Sequence, residues 1–72
     1  MNSQAARKVA AASVEYVAAQ LALNRHLETR PAPDAQDAAR AAWRQDDHRL
    51  YARALAAWDE LARLAGPWLT TR

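Results

Sequence analysis

The stretch "TRPAPD", Thr29 to Asp34, decides how this chain folds. Proline at 31 pushes Arg30 out of the helical region, and Pro33 repeats the interruption two residues later. On either side run long segments without proline or glycine, the second ending at "AGP", Ala65 to Pro67. Alanine, leucine, arginine, glutamine and glutamate dominate these segments and favour helix, while valine and threonine are the only β-branched residues. The expected fold is all-α. Ser3 is a candidate cap for a helix over 3–28, followed by a loop over 29–33. Asp34 is a candidate cap for a second helix over 34–65, with Asp37 near the capping-box position. Gly66 followed by Pro67 reads as a stop, leaving 66–72 as a short apolar tail with Trp68 and Leu69. A linker of about five residues between long helices returns the chain antiparallel, as a helical hairpin. The alternative is a break at "QDDH", Gln45 to His48, where Asp46 or Asp47 would cap a third helix.

With 72 residues the chain makes one domain, 1–72, and buries only a modest share of its surface. Small domains draw extra support from disulfides, metals or association. There is no cysteine, which removes disulfides and thiolate zinc sites and points to association. Large core-filling side chains are scarce: alanine is the commonest residue, and phenylalanine and isoleucine are absent. The formal charge of +2 comes from interspersed cations and anions, a weak case for nucleic acid. No leader-like apolar segment and no run of bilayer-spanning length is visible, so no membrane association is expected and the expected location is cytoplasmic.

Helical periodicity places Val9, Tyr16, Leu23 and Leu27 on one line of the first helix, and Ala10, Val14, Val17 and Leu21 on another. One antiparallel partner covers one seam. The second seam, with Val14, Val17 and Leu21 as oligomer-interface candidates, predicts an obligate partner or a homodimer in which two hairpins form a four-helix bundle; the alternative is that helix two, with its bulky tryptophans, covers both seams. The second helix carries a broad stripe of Trp43, Leu50, Tyr51, Ala54, Trp58, Leu61 and Ala65. In a chain of this composition the rings are the expected core, with one of the 3 tryptophans left partly exposed for binding.

Within that stripe, "WRQDDHRLY", Trp43 to Tyr51, concentrates charge. On a helix Asp46, Asp47 and His48 point about 100° apart and do not converge on one ion, and none has a second metal ligand at helical spacing. Neither a cysteine nucleophile nor a glycine-rich phosphate loop is present, so no metal, cofactor or enzymatic activity is expected. Asp47 projects between Trp43 and Tyr51. Burying a lone carboxylate costs several kcal/mol, so Asp47 needs a partner. Two are open: Arg44 or a cap within the chain, or an arginine from another protein. Arg40, Arg44 and His48 form a line at four-residue spacing, either a solvated flank or a contact for an acidic partner or phosphate.

The run "DDHRLYARALAAWDELARLAGPWLTTR", Asp46 to Arg72, resembles the end of the Hha/YmoA proteins, small helical modulators of the nucleoid protein H-NS. The matching positions are Asp47, His48, Arg49, Leu50, Trp58, Asp59, Pro67 and Trp68. The resemblance covers about a third of the chain and implies an H-NS-type partner bound in part by Asp47. The first thirty residues depart from it, since that family breaks its N-terminal half into shorter helices.

Together these readings predict a small non-enzymatic protein that binds and modulates another protein, as inhibitor, adaptor or regulator. Phages and mobile elements encode many small regulators of this build, an analogy at the level of fold. The expected partner-binding residues are Trp43, Arg44, Asp47, Tyr51 and Trp58. A competing expectation is weak direct nucleic-acid binding through Arg40, Arg44, Arg49 and Arg53.

Overall fold

A computed structural model of the chain describes residues 3–69, with side chains through Pro67. Among the described residues there are two helices and no strand: α1, Ser3–Glu28, and α2, Asp37–Leu69. Helix α1 keeps the expected span, because nothing within it interrupts an alanine-rich run and Pro31 follows its end.

The bounds of α2 differ from expectation at both ends. It begins at Asp37, not Asp34, and the linker runs over 29–36. A turn closed by Ala35 N–H donating to the Ala32 carbonyl (2.9 Å) holds residues 32–35. The Arg40 guanidinium donates to the Pro33 carbonyl (3.0 Å). The helical ladder opens three residues after Pro33, with Arg40 N–H donating to the Gln36 carbonyl (3.1 Å). Asp37 then sits in the first turn, where a carboxylate favours the helix dipole, and pairs with Arg40. At the other end α2 passes through Gly66 and Pro67 to Leu69. Gly66 has no positive φ, so the left-handed stop does not form, and Pro67 forfeits one backbone donor close to the helix end. The expected apolar tail is therefore helical to Leu69, and the side chains of Trp68 and Leu69 and residues 70–72 lie outside the described residues. The helix is also continuous through "QDDH", where Asp46 pairs with Arg49 (3.7 Å).

The two helices pack antiparallel, with Tyr16 against Trp58 (5.4 Å between ring centroids) and His26 against Trp43 (4.4 Å). The seam follows a 4-3 spacing on each side, through Val9, Ala12, Tyr16, Ala19, Leu23 and His26, and through Trp43, Asp47, Leu50, Ala54, Ala57 and Leu61. Its centre is made of alanine: Ala12, Ala19, Ala54 and Ala57 are the buried hydrophobic residues, and no large side chain is fully buried. This corrects the expectation that the rings form the core. Tyr51 and Trp58 each follow a seam residue, Leu50 and Ala57, and so lie about 100° round the helix. They are 56% and 52% exposed.

Among the described residues one arginine–carboxylate pair crosses the hairpin. Arg53 donates from Nη2 (2.7 Å) and Nε (3.2 Å) to the Glu15 carboxylate. These hydrogen bonds hold Glu15 below its usual pKa and raise that of Arg53. A carboxyl with a lower pKa in the folded state contributes stability above the unfolded pKa and loses it as pH falls through the folded value. Acidification through and below the ordinary glutamate range is therefore expected to lower the melting temperature of the wild type more than that of Glu15→Gln. The difference is small because both groups are exposed. Parallel acid profiles in a thermal melt series would show that the pair contributes nothing.

Candidate protein-binding surface

The expected site residues separate into three regions. At the loop end, Trp43 stacks on the His26 ring (4.4 Å, 15° between planes), and its indole N–H donates to the His26 carbonyl (3.2 Å). That carbonyl also accepts from Thr29 N–H (2.9 Å) and Thr29 Oγ1 (2.7 Å). Carbonyls in the last turn of a helix lack intrahelical donors, so Thr29 and Trp43 together cap α1. The Arg30 guanidinium lies 5.3 Å from the Trp43 ring centroid and adds a cation–π contact.

Asp47 belongs to the same cluster. Its Oδ1 stands 3.5 Å from His26 Nε2, with the His26 side chain 8% exposed and that of Asp47 37% exposed. This is an ion-pair distance for a charged imidazole, yet His26 Nε2 makes no hydrogen bond in this geometry. The contact within the chain is with His26, not with Arg44 and not as a cap. The signal for it lies in the spacing: His26 continues the seven-residue series Ala5, Ala12, Ala19 along the seam. Among the described residues no three His, Asp or Glu side chains converge as a metal site would require.

The second region runs along one side of α2. Tyr51, Leu55 and Trp58 are 48–56% exposed and, with Tyr16, Gln20, Leu23 and Ala54, line an open groove between the helices. Gln20 Nε2 donates to the Tyr16 hydroxyl at the groove edge (3.3 Å). Arg44 and His48 continue this strip toward the loop at 4-3 spacing. Both are exposed and have no ion pair among the described residues. Leu55 was not among the expected binding residues, although its spacing between Tyr51 and Trp58 marks it. Of the arginines expected to meet phosphate, Arg40, Arg49 and Arg53 each face a carboxylate, Asp37, Asp46 and Glu15.

The third region is the outer side of α1. Val14 is 70% exposed, Val17 54% and Leu21 52%, and with Ser13 and Ala18 they line a second, shallow groove. The expected second seam is thus uncovered in the hairpin. Neither helix is long and apolar enough to cross a membrane, among the described residues. Comparison with family models, with curated proteins and with solved structures finds no match.

Proposed function

We propose that this chain is a non-enzymatic interaction protein. It dimerises through the Val14, Val17 and Leu21 seam and presents the Tyr51, Leu55 and Trp58 groove, flanked by Arg44 and His48, to another protein that it modulates in the cytoplasm. The observation that carries the reading is an inversion of burial: large apolar side chains on both helices are 44–70% exposed, while the buried hydrophobic core is alanine. Contiguous exposed aromatics and leucines beside unpaired cations suit a helix with an apolar stripe and an acidic flank. The test is affinity capture with the full chain, comparing wild type with Tyr51→Ser/Trp58→Ser. A protein retained by wild type and lost with the double variant, at unchanged helicity and mass, is the expected result. Retention of the same proteins by both chains would refute use of this groove.

A second reading rests on the resemblance to the Hha/YmoA proteins, with Asp47 as a contact to an H-NS-type partner. Its support is that the Asp47 carboxylate, though close to His26, keeps 37% of its side chain exposed. Binding to a purified H-NS-type protein that weakens with Asp47→Asn distinguishes it from the first reading, which places the contact at Tyr51 and Trp58.

A further inference from the structure

The seam on the outer side of α1 carries enough information to specify its occupant. A compact monomer of 8.0 kDa is expected to expose about 4,450 Å². This chain exposes 5680 Å². The excess, roughly 1,200 Å², goes with the elongated hairpin, 53 × 18 × 15 Å, which leaves the outer side of α1 uncovered. Between Val9 and Asn24 the only charged residue of α1 is Glu15, which is turned toward Arg53 of α2. Helix α1 therefore has the make-up of a central helix, covered on one side by α2 and open on the other.

The open side is self-complementary in one orientation. Ala10, Val14, Val17 and Leu21 follow 4-3-4 spacing, and a two-fold axis at the level between Glu15 and Tyr16 sets Val14 against Val17 of the second copy. The same axis sets the small Ala10 against the large Leu21. It also sets Arg7 opposite Asn24 of the second copy, beside Arg25 and about 6 Å along the axis from Glu28, and neither Arg7 nor Glu28 has an ion pair among the described residues. A parallel arrangement instead sets Arg7 against Arg7 and Glu28 against Glu28, each a like-charge contact.

We infer that the occupant is a second copy of this chain, its α1 antiparallel to the first in this register, with α1 helices at the centre and α2 helices outside. The inference deepens the self-association proposed above and rests on it. The arrangement is a layer of four helices more than a closed bundle, because this seam lies on the side of α1 away from α2. It leaves the Tyr51, Leu55 and Trp58 groove uncovered for a foreign partner.

Cysteine cross-linking of the full chain tests the register, and the chain's own lack of cysteine keeps the readout clean. Ala10 and Leu21 are about 16 Å apart along one helix, whereas a disulfide needs Cα atoms within about 7 Å. Light scattering is expected to give twice the 8.0 kDa chain mass across the micromolar range. On mild oxidation a mixture of Ala10→Cys and Leu21→Cys chains gives the mixed covalent dimer, while Ala10→Cys alone stays uncoupled. A monomer at all these concentrations overturns both the register and the self-association. A dimer in which Ala10→Cys couples to itself overturns the antiparallel register alone. A dimer in which Leu55→Cys couples, and the 10/21 mixture does not, moves the interface to the aromatic groove and overturns the α1 assignment.

Discussion

Ala19→Leu is expected to destabilise the hairpin by about 1–3 kcal/mol, the usual cost of overpacking a closely fitted site. Ala19 is 0% exposed, and the other buried members of the seam, Ala12, Ala54 and Ala57, are also alanines. Helices that meet through alanine approach at the short end of the about 8–10 Å range of interaxial distances. A leucine at Ala19 has no space of its own and must push α2 away, which loosens the flanking contacts of Tyr16 and Leu23. For a domain with a core this thin, that is a large share of the total stability. Ala11→Leu makes the same chemical change at an exposed position of α1 outside both seams, and its effect is expected within about 0.5 kcal/mol. Urea titrations followed by helical circular dichroism, at one fixed protein concentration, measure both. Equal midpoints for Ala19→Leu and wild type would show that the alanine seam is not the place of closest approach.

The same seam explains what was legible in the sequence. Helix α1 was readable in full because its limits depend on local chemistry, an uninterrupted run ending before Pro31. The second seam was readable too, since Val14, Val17 and Leu21 stand out by size at helical spacing. The start of α2 was not, because it goes with the 32–35 turn and with Arg40 reaching back seven residues to the Pro33 carbonyl, contacts that residue propensity does not register. The core was misread for a related reason. Periodicity weights large residues, and at a close helix crossing the large residues are the ones excluded. The spacing of Ala12, Ala19, Ala54 and Ala57 was present all along, but alanine adds little to an apolar stripe. The partner of Asp47 was hidden by register. A five-residue loop sets Asp47 opposite the middle of α1. The observed linker over 29–36, with the first turns of α2 running past the end of α1, sets it opposite His26 instead.

That loop-end cluster supports the second large expectation, a loss of about 2 kcal/mol in Trp43→Ala. Truncating a buried tryptophan costs about 3–5 kcal/mol, and Trp43 is only half-buried, which brings the figure down. What remains is specific. The ring covers His26, its N–H occupies a carbonyl at the end of α1, and Arg30 rests over its face. Removing it opens a gap beside a side chain that is only 8% exposed. It also withdraws the one indole donor that ties α1 to α2 at the closed end of the hairpin. Trp43→Phe separates the two parts, because a phenyl ring can still stack on His26 but has no N–H to donate. Its cost is expected near about 1 kcal/mol, the net value of one hydrogen bond plus a modest loss of area. Trp58→Ala, at a ring 52% exposed and set against Tyr16, should cost less than Trp43→Ala in the same urea titration. If the two alanine variants unfold at the same midpoint, the cluster of His26, Trp43 and Asp47 is not what closes the hairpin, and the alanine seam holds the helices together unaided.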